Sequence, residues 1–138
     1  MPRAKQSGLF KKVGTVISPK VPGDTLEVPD TVEYNATDTT ITLTIADLNK
    51  IHVINNAAAV VVNLPSVDAN QISYWIEFQK MGAGNLTVNA ADLDVIADSA
   101  AGGNIANTTT EVFAFVKIGL IRATRWGIRG MLGSWTTT

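Results

Sequence analysis

Few side chains in this chain of 138 residues could support acid–base or metal chemistry. His52 is the only histidine and cysteine is absent, which excludes an ordinary zinc site built from those ligands. In an extended strand His52 would point away from Ile51 and Val53, so we expect a surface or interface imidazole and not a general base. No serine lies in a Gly-x-Ser-x-Gly sequence. We therefore expect no enzymatic activity, no metal and no cofactor.

Three carboxylates are closely spaced at Asp92, Asp94 and Asp98. Such spacing is compatible with calcium binding, but the turn glycine and closing glutamate of a helix-loop-helix calcium site are missing. An exposed edge of alternating acids is the simpler interpretation. The chain has 12 acidic residues, so chance pairs are inevitable, and a sequence cannot supply the separation that glycoside hydrolysis requires.

Aromatic residues offer a different kind of site. In Ile72–Lys80 the residues Ile72, Tyr74, Ile76 and Phe78 would share one face of a strand, and Trp75 would lie opposite among polar neighbours. Packing of Trp75 under a second layer is one explanation, and a subunit interface or ligand platform is another.

The segment 111–118 is apolar on both faces, because Phe113 and Phe115 alternate with aliphatic residues. A strand of this kind is normally covered on both sides, and the second cover could be another subunit. Trp126 follows with Arg122, Arg125 and Arg129 nearby, a mixture that can indicate nucleic-acid binding. Without an RNA-recognition signature, arginine contacts to carboxylates are favoured. The candidates for a subunit interface or glycan platform are Trp75, Phe113, Phe115 and Trp126.

The elements that must position these residues are short strands. In 39–45 isoleucine and leucine alternate with threonine, which predicts a half-buried strand. Further strands are expected at 51–54, 60–62, 72–80 and 86–89, with Leu86 and Val88 inward. The region 99–110 is expected to be a loop or weak strand around Ile105, and Gly119 to open a turn. The pattern predicts an all-β fold, an antiparallel β-sandwich or jelly-roll-like barrel.

The N-terminal segment 1–30 differs from the rest. It contains four of the five prolines, which disfavours a helix or central strand and predicts an extended N-terminal arm (1–30) ahead of one β domain (31–138). A solvated tail is the alternative to an arm that becomes ordered on a neighbouring protein. The residues expected to contact a neighbouring subunit or partner are Arg3, Lys5, Leu9, Phe10, Lys11, Lys12, Val13, Val16 and Ile17.

Charge is segregated along the chain although the net charge is only −1. Residues 1–20 hold five basic residues and no acid, whereas 21–116 hold two lysines and 12 carboxylates. The C-terminal segment 117–138 holds one lysine and three arginines and no acid. A basic arm thus precedes an acidic body, and this distribution does not favour nucleic acid or a membrane as partner.

Three runs carry a resemblance: TLTIADLNKIHVINNAAAVVVNLP (42–65), LTVNAADLDVI (86–96) and RWGIRGMLGSW (125–135). They resemble β-modules of tailed-bacteriophage virion proteins, which include capsid decoration proteins and tail-fibre segments. In such modules an Ala-Asp turn leads into a strand, a Leu-Pro ends the next one, and a tryptophan-containing hairpin closes the domain. The resemblance covers about residues 39–135 and not the arm.

This resemblance implies a trimeric β domain displayed on a virion. The expected function is that of a capsid decoration (cement) protein, which binds the lattice of the major capsid protein and stabilises the head. Proteins of this kind commonly bind through an N-terminal arm, so the resemblance implies that the arm residues named above bind the capsid protein. The expected location is the capsid exterior, after synthesis in the host cytoplasm. The alternative is a tail-fibre or adhesin module that binds host glycan, with Tyr74, Trp75 or Trp126 as stacking platforms.

Overall fold

Two facing β-sheets form the body of the protein. The computed structural model describes residues 10–13, 16–19, 29–35 and 37–138. Their strands are β1 (Phe10–Val13), β2 (Val16–Pro19), β3 (Asp30–Tyr34), β4 (Thr40–Thr42), β5 (Lys50–Ile54), β6 (Val60–Asn63), β7 (Trp75–Lys80), β8 (Leu86–Asn89), β9 (Val95–Ile96), β10 (Asn104–Asn107), β11 (Ala114–Arg122), β12 (Arg125–Leu132) and β13 (Thr136–Thr137). One sheet has the order β3-β5-β7-β11-β12-β9, the other β13-β10-β8-β6-β4.

The chain winds between the sheets from β3 to β8. Each strand in this part lies in the opposite sheet from the one before it, and each is parallel to its neighbour one coil earlier. The register aligns Thr31 with Ile51 and Ile51 with Glu77, so the second coil is longer than the first. This is a two-faced parallel β-solenoid of three coils.

The later strands close the solenoid. β10 pairs antiparallel with β8, and β11 pairs antiparallel with β7, so both sheets reverse direction after the third coil. β11 and β12 then form a long hairpin, and the short β9 pairs parallel with the first two residues of β12. Beyond Trp126, the outer edge of β12 has no strand partner among the described residues.

The core lies between the sheets and follows the period of the strands. In the five-stranded sheet Ile41, Val62 and Val88 stand in register and are buried. In the six-stranded sheet His52, Phe78 and Val116 form a matching buried row. Each fully buried aliphatic or aromatic side chain stabilises the fold by about 1.5–3 kcal/mol. Packing of these rows against one another therefore holds the two sheets together.

The expectation of an all-β sandwich is confirmed, but the sheets are mixed where the sequence predicted antiparallel ones. Alternation of apolar and polar residues fixes which side chains face inward and says nothing about strand direction. Direction is decided by the connection. The segment 55–59 crosses to the opposite sheet instead of forming a hairpin, so the next strand in the same sheet runs parallel to the one before.

Several local expectations can be compared with the structure. The strands near 39–63, the inward Leu86 and Val88, and the strand around Ile105 are confirmed. Ile72 was expected inside and is exposed, because β7 begins only at Trp75. The turn expected at Gly119 is wrong, because β11 continues through it and the chain reverses at 123–124.

The expected arm falls mostly outside the described residues. Within it, the backbones of β1 and β2 pair antiparallel as a two-stranded ribbon, a local pairing that the proline content did not predict. Of the residues expected to bind a capsid protein or another subunit, Arg3, Lys5 and Leu9 lie outside the described residues, and for the other six the structure describes the backbone alone.

Neighbouring coils are held in register at their turns by Asn56, a buried polar residue. Its amide donates to the carbonyl oxygens of Asn35 (3.3 Å) and Asp38 (3.2 Å) in the preceding coil. Its backbone carbonyl oxygen accepts from Gly84 N in the following coil at 3.0 Å. At the C-terminal ends of β6 and β8, the Asn89 side chain donates to the Asn63 side chain at 3.0 Å. These bonds satisfy buried polar groups that would otherwise destabilise the stack.

Close stacking of the turns leads to a prediction about Gly84. A Cβ at this position would overlap the carbonyl of Ala58, whereas a Cβ at Gly130 would meet only Phe115 at an ordinary 3.6 Å. We expect Gly84→Ala to lower the free energy of unfolding by about 1–3 kcal/mol, because the backbone of one coil must move. The measurement is urea denaturation, with Gly130→Ala as the matched control. Equal stability of the two variants would contradict such tight stacking.

Candidate functional site

His52 is enclosed in the core, and both of its ring nitrogens have hydrogen-bond partners. Its exposed fraction is 0%. Nε2 lies 2.9 Å from the carbonyl oxygen of Asp47, to which it must donate, and Nδ1 therefore accepts from the Tyr34 hydroxyl at 3.1 Å. The ring stacks on Tyr34 and packs against Phe78, with centroid distances of 5.8 and 5.6 Å.

This environment gives His52 a structural role. Burial lowers its pKa below the usual 6.5, although the Asp47 carbonyl opposes that shift. With both nitrogens engaged and no access to solvent, the ring cannot exchange a proton with a substrate. The expected direction opposite Ile51 and Val53 is confirmed, but the expected surface position is wrong, because that direction is the core side of β5.

The acidic segment has no metal site in the part of the chain that the structure describes. Asp94 was expected on an exposed edge, yet it is buried and accepts from Val67 N at 3.2 Å. Burial raises the pKa of Asp94, and the Val67 hydrogen bond partly offsets that rise. Asp98 is exposed and accepts from the Thr137 hydroxyl. Asp94 therefore joins two loops, and Asp98 joins a loop to β13.

A depression opens on the outer face of the six-stranded sheet, around Trp75. It has a volume of about 510 Å³ and is lined by Ser73, Trp75, Lys117, Gly119 and Arg129. The ammonium of Lys117 lies 4.1 Å from the centroid of the Trp75 ring, a cation–π contact. We call this feature the Trp75 depression. It brings together an accessible aromatic side chain, two cations and a hydroxyl.

Local backbone features build the floor of the Trp75 depression. A β-bulge in the β11–β12 pairing leaves Arg129 as an extra residue, and its side chain reaches back over Gly119. A Cβ at Gly119 would lie 2.8 Å from the Arg129 Nε, so a side chain at this position would displace Arg129 from its place over residue 119. Ser73 has a φ of +81°, rare for a residue with a side chain, and donates its N–H to the Leu120 carbonyl at 3.0 Å.

Exposed apolar side chains lie at the end of the β11–β12 hairpin opposite its turn. Of the nine large hydrophobic residues exposed in the described part of the chain, four lie there: Val112, Phe113, Met131 and Leu132. Phe113 is 66% exposed and Leu132 is 57% exposed. Together with Phe115, which is half-buried, we call these residues the apolar rim.

A network of polar groups holds the loop that presents the rim. Lys80 is buried at the end of β7 and donates its ammonium to the carbonyl oxygens of Thr109, at 2.9 Å, and Glu111. The Glu111 carboxylate accepts from Asn107 at 2.7 Å and from Ser134 N at 2.9 Å. Burial lowers the pKa of Lys80, and hydrogen bonds lower that of Glu111. Both groups fix the loop in one conformation.

The four residues proposed as an interface or glycan platform occupy different environments. Trp75 is half-buried in the depression, Phe113 is exposed and Phe115 is half-buried. Trp126 has no exposed area and packs in the core, so it offers no surface to a partner and that prediction is wrong for it. Its position opposite the inward Leu120 accounts for this burial.

Sequence reasoning missed four residues that complete these sites. Lys117 and Arg129 lie on the same face as Trp75, and Lys80 and Glu111 secure the rim. Period-two alternation indicated the outward direction of Lys117, but not its position beside Trp75, because that depends on the pairing of β7 with β11. The arginine contacts to carboxylates expected in this region are replaced at Arg125 by a 2.7 Å bond to the Ala97 carbonyl.

Comparison with known proteins gives no identification: the chain matches no protein-family model and no curated protein. None of the helices among the described residues has the length and apolar character needed to cross a membrane.

The burial of His52 predicts how stability depends on pH. The unfolded chain takes up a proton below pH 6.5, whereas folded His52 stays neutral to lower pH, so the free energy of unfolding should fall as pH drops below about 6.5. The slope should reach at most about 1.4 kcal/mol per pH unit. Urea denaturation between pH 7.5 and 5.5 measures it.

His52→Gln is the control, because it removes the only histidine of the chain. The variant should show a flatter profile. Identical slopes for both proteins would mean that His52 titrates normally in the folded state.

Proposed function

We propose that this protein is a non-enzymatic capsid decoration protein of a tailed bacteriophage, which binds the lattice of the major capsid protein and stabilises the head. The apolar rim carries the proposal, because a group of exposed large apolar side chains at one end of a hairpin favours protein–protein contact. The likeness of 42–65, 86–96 and 125–135 to phage virion modules supplies the biological setting. The protein would be made in the host cytoplasm and displayed on the capsid exterior.

The apolar rim is assigned to contact between copies of the chain. It adjoins the part of β12 that has no strand partner on its outer side among the described residues. An open edge with apolar neighbours favours addition of a strand or packing of another subunit. The fixed conformation of the loop supports this assignment, because a preorganised surface loses little entropy on association. A homotrimer is the assembly implied by the resemblance.

Contact with the major capsid protein is assigned to residues 1–30. Their five basic residues and two apolar islands suit an acidic and grooved partner surface. In a trimer three such arms would act together, and linked binding of this kind can raise the overall affinity by about 10² or more. Pressure from packaged DNA strains the contacts between capsomers. A protein bound across them would add interface area without covalent bonds.

The apolar rim leads to a prediction about assembly. The double substitution Phe113→Glu and Leu132→Glu should convert an oligomer into a monomer, because burial of two new carboxylates in an apolar contact is strongly unfavourable. Size-exclusion chromatography with light scattering measures the mass. Leu93→Glu is the matched control, since Leu93 is 77% exposed and lies outside the rim. A wild-type monomer at high micromolar concentration, or an oligomer unaffected by the double substitution, would refute the assignment.

The proposed capsid binding leads to a prediction about the heat stability of the head. Particles that lack the protein should release DNA at a lower temperature, and added protein should restore the wild-type temperature. A variant without residues 1–28 should fail to restore it, because it lacks the capsid-binding arm while β3 and the rest of the body remain. Dye-detected DNA release during heating is the measurement, with circular dichroism to confirm that the variant is folded. Equal heat stability with and without the protein would remove the cementing function.

A further inference from the structure

We propose that the Trp75 depression binds an acidic saccharide, with a pyranose ring against Trp75 and a carboxylate between Lys117 and Arg129. This binding activity goes beyond head stabilisation and does not depend on it. The inference rests on four properties of the depression: two cations without a carboxylate in its lining, an accessible indole, a rigid floor and its size.

The lining of the Trp75 depression holds two cations, Lys117 and Arg129, and no carboxylate among the described residues. Glu77 stands directly opposite Lys117 in the β7–β11 pairing, but it is not part of that lining and its carboxylate accepts from Gln79 at 2.8 Å. Lys117 holds its ammonium over the Trp75 ring. A ligand carboxylate in the depression would therefore meet two cations, and Arg129 offers paired donors suited to that group.

The indole and the hydroxyl provide the saccharide contacts. Trp75 is half-buried, so the sheet fixes its orientation. Lys117 lies over one face of the indole, and the sugar would pack against the part of the ring that remains accessible. A sugar ring presents apolar C–H groups that pack on an aromatic surface, and its hydroxyls need polar partners such as Ser73. Placement of ammonium beside indole matches a ligand in which a carboxylate is bonded to the ring that stacks, as in a uronic acid.

The floor of the depression is rigid and specific. Ser73 is held at positive φ by its bond to Leu120, and Leu120 N in turn donates to the Tyr74 carbonyl at 2.8 Å. Strained residues of this kind persist where the surrounding structure enforces them, and they are concentrated at binding sites. The volume of about 510 Å³ lies within the range of about 300–1,000 Å³ typical of small-molecule sites, which accommodates a short oligosaccharide.

Acidic saccharide is favoured over nucleic acid by the charge of the rest of the body. Residues 21–116 hold 12 carboxylates and two lysines, which would repel the closely spaced phosphates of a nucleic acid. Two cations in one depression suit a ligand with one charge per sugar ring. A nucleic-acid site would need a longer row of basic residues to follow the backbone.

The test compares two ligands of the same linkage that differ only at C6, which is a carboxylate in one and a neutral hydroxymethyl group in the other. The probe is the trimer of α-1,4-linked galacturonic acid, and its neutral counterpart is the trimer of α-1,4-linked galactose. Isothermal titration calorimetry with the full chain should show at least tenfold tighter binding of the acidic trimer. Addition of salt should weaken that binding, because the carboxylate contacts are screened.

Substitutions locate the binding site. Lys117→Gln and Arg129→Gln should each weaken binding of the acidic trimer about tenfold, and Trp75→Ala should abolish it. Arg122→Gln is the control: it removes the same charge from an exposed arginine of β11 outside the depression, and it should leave affinity unchanged. Thermal denaturation establishes that each variant is folded. Should Trp75→Ala unfold, the two charge variants and the control still decide the question.

Five outcomes would overturn the proposal. Four are absence of binding by the acidic trimer, equal binding of the neutral trimer, unchanged affinity in both charge variants, and tighter binding of an oligothymidylate that the same variants weaken. Binding of inorganic phosphate as tight as that of the acidic trimer would also overturn it, because the site would then recognise an anion and no sugar. Head stabilisation can fail its own test without affecting any of these results.

Discussion

The amide side chain of Asn56 connects the turns of successive coils, and the rest of the architecture depends on that connection. It bonds to the turn before it through Asn35 and Asp38, while its backbone meets the turn after it at Gly84. Only when these turns are aligned do the rows of buried side chains in the two sheets face one another. Hydrogen bonds at the turns therefore set the alignment of successive coils, and apolar burial supplies most of the stability.

Much of the secondary structure could be predicted because the strands are amphipathic. Alternation identified the inward faces at Ile41, Leu86 and Val88. The solenoid could not be found in this way. Its repeat is visible in the alignment of Ile41 with Val62 and Val88, but the second interval along the chain is longer than the first. Unequal coils hide the period from a search for regular repeats.

The candidate sites could be predicted only in part. Trp75 was marked by its polar neighbours, and Phe113 by a strand with two apolar faces. Arg129 reaches Trp75 because a bulge leaves it unpaired and Gly119 leaves it room, and neither feature has a sequence pattern of its own. Trp126 illustrates the reverse case: arginines beside it suggested a surface position, whereas its pairing with Leu120 places it in the core.

The buried ammonium of Lys80 has a consequence for how the chain reaches its native alignment. It is satisfied only when β7 and the loop after β10 meet so that two carbonyl groups surround it. A slip of β7 by two residues would leave a charge in an apolar layer without acceptors, which costs several kcal/mol. A slip by one would turn Gln79 inward and Phe78 outward. The burial of Lys80 thus destabilises misaligned sheets by more than it stabilises the native alignment.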